Sequence, residues 1–152
     1  MNFYDKEAKE LLKAEKIDNS TIRELLVLAM HSSTIANNYF ECKVKENDDT
    51  ILKELISISG DFDDFGDAPH KASFFIKEYS VELLKPYENE MFSILSNDDR
   101  GARTFIAIAL GRLRSQQVKA YILKEANDNG QIGNWIFLEA LKYYQDEIIQ
   151  ST

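Results

Sequence analysis

Residues 94–113 read ILSNDDRGARTFIAIALGRL, and no other stretch of the chain says as much about its architecture. An apolar pair, Ile94–Leu95, closes one amphipathic segment. The acidic turn at Asp98 and Asp99 then leads through Arg103 into a run carrying Ala102, Phe105, Ile106, Ala109, Leu110 and Leu113. That run is apolar nearly all the way round, as befits a central helix covered on several sides, and it is predicted to start at Asp98 or Asp99. Ala107, Ala109 and Gly111 are small enough for close helix packing.

The pattern returns downstream in a weaker copy, Ile122–Tyr144. Ile122–Leu123 answers Ile94–Leu95 at an offset of 28, and Ala140–Leu141 answers Ala109–Leu110 at an offset of 31. A period near 30 marks a stacked helical array in which each hairpin buries its face against the next. Ile56–Tyr79 reads as a third, strongly diverged copy with an acidic loop inserted at its turn. Leu95, Asp98, Asp99, Arg103, Ala107, Ala109, Leu110, Gly111 and Leu113 together resemble the HEAT-like repeat, in particular the short variety of phycobilin-lyase-type proteins. The resemblance covers about 60 residues and does not include Met1–Val44; the second copy has Asn134 where an arginine is expected. It implies a right-handed stack of antiparallel helical hairpins, an α-α superhelix, and a binding surface. It carries no catalytic residues across.

The rest of the chain keeps the helical period, and no segment alternates convincingly with a period of two. The expectation is a single all-α domain over 1–152 with about seven or eight helices: N-terminal helices over 1–45 and helical hairpins over 49–147. A short helix spans 4–16. A helix capped by Ser20 or Asn19 carries Ile22, Leu25, Leu26 and Ala29 on one stripe and Leu28, Ile35 and Tyr39 on another, fading near Phe40–Val44. Asp49 caps the next. Pro69 sits in the first turn of a helix to about Leu84, and Pro86 opens another ending near Leu95. Ser115 precedes a helix stopped by Asn127–Gly130, and the last helix runs from Ile132 to Tyr144, with Trp135 in its core or rim.

Composition narrows the function classes. The chain has 152 residues, 44% hydrophobic and 11% aromatic, with two prolines and six glycines. That is globular and helical rather than disordered. The net charge of −8 repels phosphates, so nucleic acid is not expected as a partner. The single cysteine, Cys42, fits a reducing compartment. No apolar run approaches a membrane span, and the charged first residues cannot form a signal peptide, so a cytoplasmic location is expected.

The charge is uneven: residues 41–70 carry nine acidic and three basic side chains, whereas residues 98–127 carry six basic and three acidic ones. The acidic half contains the one long loop, Gly60–Ala68, GDFDDFGDA. Read as a calcium loop starting at Asp61, it has Phe65 at position five and Ala72 in place of the bidentate glutamate, so no metal is assigned. Its two open readings are a solvated loop that caps the following helix and a partner-binding loop. In the second, Asp61, Asp63, Asp64 and Asp67 supply charge, and Phe62 and Phe65 supply anchors. The arginine-bearing hairpins are the alternative binding face, although Arg103 fits a structural arginine bonded to the turn carbonyls or to Asp98 and Asp99. His31 fits a packed boundary position. His70, Cys42 and His31 make no zinc pattern, and no phosphate loop, serine elbow or Cys–His signature is present. No cofactor is implied.

These features point to a non-catalytic, protein-binding inhibitor. The leading expectation is an immunity protein that neutralises a cognate bacterial toxin, because toxic nucleases are often basic and an acidic inhibitor meets them quickly. HEAT-like helical folds occur among immunity proteins. A generic adaptor or regulatory subunit is the alternative, with a phycobilin-lyase-type enzyme or ligand carrier behind it.

Overall fold

A computed structural model describes residues 1–98, 100–128 and 134–145. The described residues are helical and contain no strand. None of their helices is long and apolar enough to cross a membrane. The chain forms two compact units, Met1–Tyr79 and Ser80–Thr152. The junction at 45–49 lies inside the first unit, because helices on both sides of it pack together.

In the first unit, α1 (Phe3–Leu11) starts where the Asn2 side chain accepts the Asp5 N–H at 2.8 Å. Asp18 caps α2 (Asn19–Met30) through the Thr21 N–H at 2.9 Å. Ser33 caps α3 (Thr34–Lys45) and Asp48 caps α4 (Asp49–Ser59), each accepting an otherwise orphaned N–H of the first turn. After the acidic loop comes α5 (Ala68–Ile76), with Pro69 in its first turn. Helix α2 packs on α1, α3, α4 and α5, and buries Ile22, Leu25, Leu26 and Ala29. Leu52, Leu55, Ile56 and Ile58 of α4 complete the core with a stacked Phe40–Phe75 pair, 4.9 Å between centroids.

The single helix expected across Ile22–Tyr39 is two helices. Ser32 turns the backbone left-handed (φ 68°), the Ser33 N–H returns to the Leu28 carbonyl at 3.0 Å, and Ser33 then caps α3. Asn37 holds the corner by donating to the Ala29 and Ser33 carbonyls. The same left-handed turn recurs at Asn47–Asp48 (φ 55° at Asn47) and at Arg114–Ser115 (φ 53° at Arg114), although Ser115 makes no side-chain cap bond to the next helix. At each, the N–H of the N-cap residue bonds the carbonyl five residues back, at 3.0 and 3.2 Å.

The second unit comprises α6 (Val81–Leu84), a 3₁₀ turn at Lys85–Tyr87, α7 (Glu88–Ser96), α8 (Ile106–Arg112), α9 (Gln116–Ala126) and α10 (Asn134–Leu141), with a closing 3₁₀ turn at Lys142–Tyr144. The helix expected from Pro69 to about Leu84 is broken near Tyr79–Ser80, and the one expected to open at Pro86 begins at Glu88 after the 3₁₀ turn. Helix α8 also begins later than the expected Asp98 or Asp99. Gly101 is left-handed (φ 75°), the Asp98 carboxylate takes the N–H groups of Ala102 and Arg103, and residues 103–108 are joined by short i→i+3 bonds. Its core is dense. A Cβ on Gly111 would stand 2.8 Å from the Ala140 carbonyl oxygen, so α8 and α10 touch backbone to backbone there. The buried Tyr144 hydroxyl donates to the Ser115 carbonyl at 2.8 Å. Residues 129–133, including Ile132 and Gly130, lie outside the described residues, as does Asp99.

Candidate functional site

The acidic loop is a clamped structure. Arg23, one position past the buried Ile22 on α2, reaches Asp61 through Nη2 at 3.1 Å and Asp64 through Nη1 at 3.0 Å. Its Nε donates to Asn19 Oδ1 at 2.8 Å, and Asn19 Nδ2 donates to Glu54 Oε2 at 2.6 Å. The guanidinium is thereby aimed from one helix turn behind, with α4 steadying the aim. Within the loop, Asp61 Oδ1 accepts the Asp63 N–H at 3.1 Å and Asp64 Oδ1 accepts the Gly66 N–H at 2.8 Å. Each is an aspartate turning its own backbone.

The six expected binding residues therefore fall into two groups. Asp61 and Asp64 are half-buried and turned towards Arg23. Phe62, Asp63, Phe65 and Asp67 are exposed, Phe65 at 69%. The expected capping role for this loop is not filled by a side chain: Asp67 stands at the N-cap of α5 in an α-like conformation and makes no side-chain cap bond, while its carbonyl accepts the Lys71 N–H. Among the described residues no cluster of three or more His, Cys, Asp or Glu could hold a metal ion.

The arginine-rich half is dispersed. Arg103 is 3% exposed, and its backbone N–H donates to the Asp98 carboxylate at 2.8 Å. Arg112 and Arg114, with Lys85, instead flank a shallow groove of about 320 Å³ floored by Val81 and Leu113. Trp135, expected in the core or rim of the last hairpin, is 59% exposed, with Phe105 edge-on at 5.9 Å. His31 is exposed and stacks on Tyr4, 5.0 Å between centroids.

Two features of the first unit escape the sequence reading. Between α3 and α5 lies a cleft of about 280 Å³ lined by Glu41, Val44, Lys45, Phe74, Phe75 and Glu78. Lys71 and Lys77 both stand over the Phe74 ring, at 4.1 and 4.0 Å. Burial, and then repulsion from Lys77, pull the Lys71 ammonium below the usual lysine range. Between α1 and α2 lies a groove of about 340 Å³ lined by Phe3, Glu7, Leu11, Glu24, Val27 and Leu28. The signal for both was present as helical spacing, but spacing alone does not say which apolar stripe stays uncovered.

Compared with known proteins, the chain matches no family model, no curated protein and no solved structure.

Proposed function

We propose that this chain is a non-catalytic protein-binding inhibitor, an immunity protein that occupies and neutralises a cognate bacterial toxin with a basic surface. The acid–aromatic loop carries the proposal. A loop held by one arginine and two aspartate turns offers Phe62, Asp63, Phe65 and Asp67 to solvent in a fixed arrangement. Preorganisation of that kind reduces the ordering cost of association, and the exposed rings supply anchoring area beside the charge. Charge draws a basic partner in, and the rings slow its departure.

In this reading the helical pairs α4–α5, α7–α8 and α9–α10 are successive HEAT-like hairpins of a right-handed superhelix, and the protein acts in the cytoplasm. The exposed, free thiol of Cys42 suits a reducing compartment.

The test begins with capture of a partner on the immobilised chain from its native lysate. The captured protein is then expressed alone in a heterologous bacterium. We expect growth arrest that co-expression of this chain relieves, and relief that Phe65→Ala with Asp63→Asn weakens. A captured partner that is harmless on its own would overturn the toxin reading in favour of an adaptor.

A further inference from the structure

Away from the acidic loop, the groove between α1 and α2 brings apolar surface and unmatched charge together. On α1, Phe3, Glu7 and Leu11 recur every fourth residue and so share one face; on α2, Glu24, Val27 and Leu28 form the opposite wall. The Tyr4–His31 stack brings the start of α1 beside the end of α2, so the two helices run in opposite directions along the groove. Phe3 is 66% exposed at one end. Glu7 and Glu24 are exposed, one on each wall, and among the described residues neither carboxylate is in an ion pair. Several other carboxylates of this unit are matched, Glu10 by Lys13, Asp49 by Lys53, and Asp61 and Asp64 by Arg23. The cleft between α3 and α5 differs, because lysines already occupy its aromatic floor.

We infer that this groove docks one amphipathic helix of a partner protein, with an apolar stripe seated between α1 and α2 and Lys or Arg on both flanks of that stripe. Two antiparallel helices present the trough that a third helix fills with its i, i+3, i+4 and i+7 side chains. Carboxylates on opposite walls select an incoming helix that is basic on both flanks, and they disfavour an acidic one by like-charge repulsion. The inference rests on the protein-binding reading and adds to it a contact region separate in chemistry from the acidic loop.

The probes are two labelled 18-residue helical peptides with the same leucine stripe, one flanked by lysine and one by glutamate, titrated against the full chain by fluorescence anisotropy. The lysine peptide should bind and the glutamate peptide should not. Glu7→Lys with Glu24→Lys should invert that preference, an effect that altered stability alone cannot produce. Phe3→Ala should weaken the lysine peptide about tenfold, on the scale of one anchoring side chain. Asparagine at Asp61, Asp63, Asp64 and Asp67 should leave peptide binding unchanged, so the groove can stand if the loop reading fails, and the reverse. Equal binding of both peptides, no inversion, or loss of binding in the loop variant would overturn the inference. So would a salt-resistant dimer at micromolar concentration that Phe3→Ala dissociates, since the occupant would then be a second copy.

Discussion

At Arg23 one guanidinium answers two carboxylates, so the four aspartates of the loop should respond to mutation in two different ways. Asp61→Asn with Asp64→Asn removes the clamp. We expect a stability loss of about 1 kcal/mol or less in urea unfolding, because the pairs are partly solvated. Asp63→Asn with Asp67→Asn should leave the melt unchanged and slow association with the partner, flattening its salt dependence. Stopped-flow kinetics at two ionic strengths would separate the two, and an unchanged on-rate in the second variant would return the loop to a solvated turn. The clamp was not legible in the sequence, because Arg23 meets partners 38 and 41 positions away, a separation that helical periodicity does not encode. Asp5 gives a pH signature at the same scale. Its carboxylate accepts the Ile35 N–H at 3.0 Å and the Ser33 hydroxyl at 2.7 Å, which hold its carboxyl below the usual range. With a depressed folded pKa, its contribution is full above the unfolded value of about 3.9 and is lost as pH falls through the folded one. Asp5→Ala should therefore lower the melting temperature at neutral pH, and the gap to wild type should narrow in acid. A gap independent of pH would mean that the ionised carboxylate does not pin α1 to α3.

Between elements, the small residues of the central helix have the meaning their spacing suggests. Gly111→Ala drives a methyl group against the Ala140 backbone, and should cost about 1–3 kcal/mol as overpacking. Leu110→Ala opens the same layer from within, and should cost about 2–5 kcal/mol. A wild-type melt for either would remove α8 from the core. The three helix–helix corners offer the opposite sign. Ser32 holds, at some cost, a left-handed backbone that glycine adopts freely, so Ser32→Gly should stabilise by about 0.5–1 kcal/mol in urea unfolding. One of these corners explains where a helix boundary went astray. The serine pair Ser32–Ser33 carries none of the punctuation of glycine and proline, so the apolar period runs unbroken through Met30–Ile35 while the chain turns; the boundaries ahead of Asp49 and at Ser115 fall where the sequence places them. The late start of α8 has a comparable cause: Asp98 was legible as a helix-starting residue, but its carboxylate caps a turn ahead of the helix.

For the molecule as a whole, helical class is written in every apolar pattern, and the described residues agree with it. The grouping of the chain into Met1–Tyr79 and Ser80–Thr152 was not legible, because the pattern of Ile56–Tyr79 suits a repeat of the downstream hairpins as well as it suits a packing partner for the N-terminal helices. Its apolar residues Ile56, Phe75 and Ile76, with Leu55 just ahead of them, are buried in a core shared with α2 and α3. A fragment of residues 1–79 should accordingly give a helical circular-dichroism spectrum and one cooperative melt, since it retains a complete core of its own. A fragment with a broad, non-cooperative melt would show that this core is insufficient.

The clamp at Arg23 also separates inheritance from selectivity. Asp61, Asp64 and Gly66 shape the loop, whereas the side chains at positions 62, 63, 65 and 67 are exposed. On the protein-binding reading proposed above, those four positions can be rewritten to change allegiance from one partner to another while the scaffold beneath stays as it is.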